Sequence, residues 1–294
     1  MRLTVAAALA FSLVGGTLAA QTPELLLRVD DIGMSHSVNM ALEKLAATKA
    51  PASASVLFVC PWYQEAVEIL KKNPQIAVGV HLALNSEWKG FRWGPVLGKE
   101  AVPSIVDSVG YFLPSTEAFL AQKYDLGEVE RELSAQVERA LHSGLKIDYV
   151  DYHMGTAVAT PELRAVVERV AEKYGLGISR YFGERYKTLF DTPIAEKQHD
   201  LLTYVGTLTP GTLNLVVVHM AEYTPEIGVL VDMNNAEQNS TGGEPQMGRH
   251  RAAELAALLS PAFAKVRTSR QVRLVTYHDV MAKQGRAGMT RPIQ

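Results

Sequence analysis

The chain has 294 residues, of which 47% are hydrophobic and 20% are charged, and its formal net charge is −2 at pH 7. This composition is ordinary for a globular protein with a full core, and the length suits one α/β barrel or two smaller domains. Because the net charge is near zero and Lys and Arg form no cluster, we expect no nucleic-acid partner. The single cysteine, Cys60, excludes an internal disulfide, and its apolar surroundings predict a buried small residue rather than a nucleophile.

The first twenty residues have the pattern of a secretory signal peptide. A positive start is followed by an apolar stretch over residues 3–18, and Ala19 and Ala20 are small residues suited to cleavage. The apolar stretch is short for a membrane span. We therefore predict cleavage after Ala20, leaving 21–294 as a single domain in the periplasm or outside the cell, with no membrane attachment. An uncleaved membrane anchor is the alternative.

Seven strand patterns alternate with helical patterns along the rest of the chain. The predicted strands are 25–31, 53–60, 76–81, 147–153, 177–180, 213–218 and 272–276, and the predicted helices are 37–49, 61–72, 126–143, 161–174 and 249–259. A long irregular region separates the third strand from the third helix. This alternation favours a (β/α) barrel-like fold of about seven parallel strands, complete or missing a strand. A doubly wound open sheet is the alternative, although no Gly-rich dinucleotide fingerprint follows the first strand.

Four of the predicted strands end in Asp or His. The residues are Asp30 and Asp31, His81, His153 and His219. Because the carboxyl ends of parallel strands gather on one face, where α/β enzymes build their sites, we expect these side chains to converge. One Asp with two or three His is the composition of a metal site with open coordination positions, which is the catalytic form. The structural alternative for the Asp pair is a turn in which Asp30 caps the next helix.

The motifs around these residues carry a resemblance to a known family. They are Arg-Val-Asp-Asp-Ile-Gly at 28–33, Val-Gly-Val-His-Leu-Ala-Leu at 78–84, Glu-Leu-Ser-Ala-Gln at 132–136 and Asp-Tyr-Val-Asp-Tyr-His at 148–153. In order and spacing the chain resembles the YdjC-like sugar deacetylases, also called the ChbG/HpnK type. The resemblance implies that 21–294 is a single deacetylase domain with a barrel-like fold. It also implies metal-dependent removal of acetyl groups from N-acetylated sugars such as chitooligosaccharides.

Carried over position by position, the resemblance assigns roles to the strand-end residues. It implies that Asp31, His81 and His153 bind one divalent metal ion, for which Mg or Zn is expected. Asp30 would be the general base that deprotonates the metal-bound water. His219 would act as general acid or as oxyanion partner.

The chain departs from the family pattern on the substrate side. Met, Gly, Thr and Ala follow His153 where the family has further histidines, Met220 follows His219, and a long polar stretch covers 222–246. We therefore expect the polar stretch on the catalytic face and a substrate other than the common chitooligosaccharides. Trp88 would stack on a sugar ring or pack in its loop. Arg180 would bind a substrate oxygen or form a structural ion pair.

Two classes of function follow from the sequence. The first is a metal-dependent deacetylase acting on an N-acetylated sugar or oligosaccharide outside the cytoplasm. The second is an exported carbohydrate-binding barrel with weak or no catalytic activity. A homodimer is compatible with the sequence, which does not fix the oligomeric state.

Overall fold

The computed structural model describes residues 22–235 and 245–292, which build one parallel β-sheet with helices in its crossovers. The strands are β1 (Glu24–Ile32), β2 (Ala52–Val56), β3 (Ile76–Leu82), β4 (Ile147–Tyr152), β5 (Gly177–Ile178), β6 (Arg185–Thr188), β7 (Leu213–Val218) and β8 (Arg273–Val275). They lie in the order β5-β4-β3-β2-β1-β7-β6, and β8 pairs with the first three residues of β1. The sheet curls into a half-barrel, which confirms the predicted barrel-like α/β fold.

The helices begin where the sequence offers capping residues. They are α1 (His36–Ala47), α2 (Tyr63–Lys71), α3 (Thr116–Ala121), α4 (Leu126–His142), α5 (Pro161–Tyr174), α6 (Lys197–Gly206), α7 (Pro225–Gly228), α8 (Met247–Leu259), α9 (Pro261–Ser269) and α10 (Tyr277–Gln284). Ser35, Asp125 and Thr160 cap α1, α4 and α5 by accepting a hydrogen bond from a main-chain N–H of the first turn. None of the described helices is long and apolar enough to cross a membrane.

Several predicted elements differ from the structure. The second strand ends at Val56, four residues before Cys60, which lies in a turn and is buried as predicted. Strand β6 was not predicted, because its side chains are exposed or half-buried and therefore form no apolar run. The predicted helices also leave out five that the structure contains: α3, α6, α7, α9 and α10. The predicted signal peptide lies outside the described residues.

The core forms because β1 is apolar on both faces. Leu25, Leu26, Leu27 and Val29 are all buried, as expected for a central parallel strand covered by helices. Burying each such side chain contributes about 1.5–3 kcal/mol before the entropy of ordering is subtracted. Helix α4 packs against this core through its buried side chains, which include Val129, Leu133 and Val137.

An irregularity at the end of β1 positions the acidic pair. Successive strand residues normally point to opposite faces, but the pairing register of β1 with β2 shifts between Val29 and Ile32. Asp31 there adopts a left-handed conformation with φ of 62°, which Asp tolerates better than most residues. Because of this turn, Asp30 and Asp31 both reach the same cavity.

Candidate metal centre

Three side chains meet at the C-terminal ends of β1, β3 and β4. Oδ1 of Asp31 lies 3.4 Å from Nε2 of His81 and 3.2 Å from Nδ1 of His153, and the two imidazole nitrogens are 3.3 Å apart. Two atoms that each bind one cation at about 2.1 Å are at most about 4.2 Å apart. The structure therefore brings together the three residues that the sequence proposes as metal ligands, in an arrangement that fits one divalent ion.

The hydrogen bonding of Asp31 supports this fit. In the described part of the chain, the buried Oδ1 of Asp31 has no hydrogen-bond partner. A buried acceptor in that state calls for an explanation, and a cation shared with two imidazoles supplies one. The other oxygen, Oδ2, accepts a hydrogen bond of 2.6 Å from Nη2 of Arg251, which holds the carboxylate in place.

Each metal-side histidine is oriented by a carboxylate on its outer nitrogen. Nδ1 of His81 lies 2.9 Å from Oδ2 of Asp151, and Nε2 of His153 lies 2.9 Å from Oε2 of Glu87. Metal-binding histidines commonly donate their second ring N–H to a carboxylate, which fixes the tautomer and the ring orientation. The nitrogens left facing Asp31 are the ones that a cation would use.

Burial and charge set the protonation of this cluster. Burial alone would raise the pKa of Asp31, but Arg251 and the two imidazoles outweigh it and hold that pKa well below its usual range. Burial lowers the pKa of His81, but Asp151 and Asp30 outweigh it and raise the pKa to about 9. Glu87 and Asp31 likewise raise the pKa of His153 above its ordinary value despite burial. A cation bound here would replace imidazole protons.

Asp30 lies beside this cluster and forms a bidentate ion pair with Arg28. Nε and Nη2 of Arg28 donate to Oδ1 and Oδ2 of Asp30, each at 2.7 Å. Burial would raise the pKa of Asp30, but Arg28 and then His81 lower it, so the carboxylate is ionised at neutral pH. The alternative in which Asp30 caps the next helix is wrong, because Ser35 is the cap of α1.

His219 follows β7 and faces Asp30 across the cavity. Its Nε2 lies 3.9 Å from Oδ2 of Asp30, and its ring meets Phe190 edge-on with centroids 5.2 Å apart. Burial lowers the pKa of His219 against the opposing effect of nearby carboxylates, so the imidazole is neutral at pH 7. Its buried Nδ1 has no hydrogen-bond partner among the residues described.

These groups open into a cavity of about 480 Å³, which Trp88 and Arg180 also line. Trp88 is only 1% exposed and its ring lies 5.1 Å from the guanidinium of Arg251, which fits the packing alternative, while its stacking on a sugar stays a prediction. The Arg180 guanidinium lies 4.7 Å above the ring of Tyr186. No carboxylate in the described ranges pairs with Arg180, so the structural ion pair offered as its alternative is not formed there.

Four charged residues that the sequence analysis did not assign complete the site. Arg28 and Asp151 stand two residues before Asp30 and His153, so strand alternation places them on the same side. Buried charges inside apolar strands were the signal that could have found them. Glu87 comes from the loop after β3 and Arg251 from α8, and nothing in the sequence indicated that either reaches the centre.

The polar stretch 222–246 lies partly at the cavity, whereas the end of the last strand lies away from it. Within the polar stretch 222–246, Asp232, Asn234 and Asn235 line the cavity, as predicted for the catalytic face, while 236–244 lie outside the described residues. At the end of the last strand, Asp279 forms a capping box with Thr276. His278 lies within 2.8 Å of both Asp148 and Lys146, away from the metal-side cluster.

Comparisons with known proteins agree with this architecture. The sequence profile of the YdjC-like protein family matches residues 24–268. A carbohydrate deacetylase of Brevibacillus brevis is 26% identical over 265 residues, which cover 87% of this chain and 99% of that protein. A proposed cellobiose-phosphate cleavage protein of Enterococcus faecalis superposes with a TM-score of 0.70 at 25% identity, covering 88% of this chain and 99% of that one. The Xyl-CE4 domain of a xylanase from the hindgut metagenome of Trinervitermes trinervoides shares the fold alone, with a TM-score of 0.50 at 10% identity over 90% of this chain and 92% of that one.

Proposed function

The chain belongs to the YdjC-like family, and on that premise we propose that it is a metal-dependent carbohydrate deacetylase. It hydrolyses the acetamide of an N-acetylated sugar or oligosaccharide. The observation that carries the proposal is the convergence of Asp31, His81 and His153 within 3.4 Å around a buried carboxylate oxygen that has no hydrogen-bond partner among the described residues. The name of the Brevibacillus brevis relative supports the reaction class.

The donor set favours a particular kind of ion. Two imidazole nitrogens beside one carboxylate suit Zn²⁺ better than Mg²⁺, which prefers oxygen ligands. A divalent cation held there lowers the pKa of water and polarises a carbonyl oxygen. Asp31, His81 and His153 would hold it, and Asp151, Glu87 and Arg251 would keep those ligands oriented.

Asp30 is our candidate for the general base. Arg28 keeps it ionised and aims it into the cavity, so its carboxylate is ready to accept a proton from the attacking water. Its low pKa makes Asp30 a weak base, which would suffice for a water whose own pKa is lowered by a cation held by Asp31, His81 and His153. The proton then has a route to the leaving nitrogen, because a positioned carboxyl can return what it accepted.

His219 is our candidate for stabilising the oxygen on which charge develops. Since its Nδ1 is buried without an acceptor in the described part, we place the single proton of the neutral ring on Nε2, which faces Asp30. A neutral imidazole can donate one hydrogen bond, but at neutral pH it does not carry the second proton that a general acid would transfer. The lowered pKa therefore favours the oxyanion partner over the general acid.

A screen for acetate release tests the proposal. The purified protein is incubated with N-acetylglucosamine, its β-1,4-linked oligomers and other N-acetylated sugars, with Zn²⁺ or Mg²⁺ added, and Asp31→Asn serves as the matched inactive control. We expect acetate from wild type alone, with a preferred sugar other than the chitooligosaccharides. Sugar binding without acetate release under every condition would overturn the deacetylase and support the carbohydrate-binding barrel.

We also propose that the enzyme acts outside the cytoplasm, on the basis of the pattern in its first twenty residues. Mass spectrometry of the protein from expressing cells should find Gln21 at the mature N-terminus. Membrane-bound protein that retains Met1 would favour the uncleaved anchor.

A further inference from the structure

A buried ion pair lies behind His219. Nζ of Lys197, the first residue of α6, lies 2.8 Å from Oε1 of Glu254 on α8. Their side chains are 0% and 1% exposed. Buried ion pairs are weak evidence for stability, because apolar residues of similar size often replace them without loss. The other hydrogen bonds of Lys197 and Glu254 therefore indicate what the pair does.

Every proton of the Lys197 ammonium is directed at an acceptor. Besides Glu254, Nζ donates to the carbonyl oxygens of Leu189 at 2.6 Å and Phe190 at 3.3 Å, just after β6. An ammonium has three donors, so its hydrogen bonding is complete. The ammonium thereby fixes the segment that presents the Phe190 ring to His219.

The second oxygen of Glu254 fixes His219 directly. Oε2 accepts a hydrogen bond of 2.6 Å from the main-chain N–H of His219. The imidazole itself has no orienting acceptor on Nδ1 within the described ranges, unlike His81 and His153. The position of the ring must then come from its main chain and from the ring packed against it, and both are held by the same ion pair.

We propose that Lys197 and Glu254 are positioning residues for His219. They place its Nε2 toward Asp30 and the cavity by fixing the main chain of His219 and the adjacent Phe190. The inference rests on the proposed function, which gives His219 a part in the reaction. Neither Lys197 nor Glu254 lines the cavity, so neither touches substrate.

Two double variants separate positioning from general stability. Lys197→Met with Glu254→Gln removes both charges but leaves an amide oxygen to accept from the His219 N–H. Lys197→Met with Glu254→Leu removes the charges and the acceptor. Both replace the ion pair by residues of similar size, so both are expected to fold. We expect kcat of the Leu variant to fall roughly tenfold to a hundredfold, with KM and metal content unchanged. The kcat of the Gln variant should fall less, because it loses the ammonium that holds the Phe190 segment but keeps an acceptor for the His219 N–H.

Asn214→Ala is the matched structural control. Asn214 is also buried, donates hydrogen bonds to the carbonyl oxygens of Glu24 and Thr212, and lies at the opposite end of β7 from His219. It should lower thermal stability without lowering kcat. Equal kcat in the two double variants, or an equal loss in Asn214→Ala, would overturn the positioning role.

An NMR measurement keeps this inference separate from the deacetylase proposal. The imidazole ¹⁵N resonances of His219, assigned with His219→Gln, should shift or broaden strongly in the Leu variant and less in the Gln variant. Unmoved resonances in both would overturn the inference. If wild type releases no acetate from any sugar, the proposed function fails and this spectrum alone decides the positioning role.

Discussion

The histidines after β3 and β4 are held by their rings, whereas the histidine after β7 is held by its main chain. Asp151 and Glu87 each contact the outer nitrogen of one of the two imidazoles beside Asp31, which leaves the inner nitrogen in a fixed position from which it could bind a metal ion. Among the described residues, Nδ1 of His219 has no such carboxylate, and Glu254 instead accepts a hydrogen bond from the main-chain N–H of His219. An imidazole that binds a metal ion needs one nitrogen lone pair held in a fixed direction. An imidazole that donates a hydrogen bond to the oxygen on which negative charge develops needs a fixed position and no other acceptor for that proton.

Replacing His153 and, separately, His219 should give the largest difference between the two kinds of histidine. We expect His153→Ala to lose the metal ion and to drop acetate release to background, because it removes a ligand. His219→Ala should keep the metal and lose about a hundredfold to a thousandfold in kcat, the usual effect of removing one donor to an oxyanion. Metal content by plasma mass spectrometry and initial rates decide it. Metal loss in His219→Ala would show that both histidines serve the ion.

Asp30→Asn should distinguish the proposed general base, Asp30, from the proposed metal ligand, Asp31. The amide keeps the shape of the carboxylate, and Arg28 keeps a second carboxylate neighbour in Asp151, 3.1 Å away. We expect metal and fold to persist and kcat to fall about a hundredfold to ten-thousandfold. Asp31→Asn is the comparison variant and should lose metal as well. Nearly full activity of Asp30→Asn at saturating metal would contradict its role as base.

The carboxylates behind the ring-held histidines should affect metal binding more than chemistry. Glu87→Gln is expected to weaken metal affinity about tenfold to a hundredfold, with kcat recovering at saturating metal. Glu132→Gln is the matched control, since Glu132 is equally buried but accepts hydrogen bonds from the main chain of Val96 and Leu97. Metal affinities measured by calorimetry should differ between the two variants. Equal affinities would remove Glu87 from the orientation scheme.

The smallest effect concerns pH and the metal-free protein. The folded-state pKa of His81 is about 9, above its ordinary value. A raised pKa stabilises the fold fully below about 6.5, the unfolded value, and that contribution is lost as pH rises toward 9. The metal-free protein should therefore lose on the order of 5 °C in Tm over this interval.

Metal-loaded protein is the internal control for this pH dependence. Its imidazoles are neutral ligands, so its stability should not fall over the same interval, and metal affinity should rise as protons cease to compete. Thermal scans with and without metal make the comparison. A metal-free Tm that rises from pH 6.5 to 9 would contradict the protonation assigned to His81.

The convergence of the three candidate metal ligands could be predicted, because the ends of apolar strands can be recognised in the sequence. Asp31, His81 and His153 each follow an apolar run, and parallel pairing determines that such ends meet. Asp30 reaches the same cavity only through the left-handed turn at Asp31, which no periodicity encodes. Glu87 and Arg251 arrive from a loop and a distant helix. Their positions depend on tertiary packing that a strand pattern does not determine.

The supports of His219 were less visible still. Lys197 begins a helix that gave no strong amphipathic pattern, and Glu254 reads in sequence as one polar position of α8. Burial of these charges is a property of how α6 and α8 pack behind β7. Tertiary packing also explains the burial of Trp88, whose ring lies against Arg251 although its sequence position is equally compatible with stacking on a sugar.

Adding metal back to the metal-depleted protein shows whether Asp31, His81 and His153 form a catalytic metal centre. Protein stripped of divalent ions by chelation is returned to buffer, and acetate release from its best N-acetylated substrate is measured as Zn²⁺ is added. We predict no release before addition and full recovery at one equivalent of metal per chain, with no recovery in His153→Ala. Full acetate release by the metal-free protein, verified by plasma mass spectrometry, would contradict the assignment of Asp31, His81 and His153 as a catalytic metal centre.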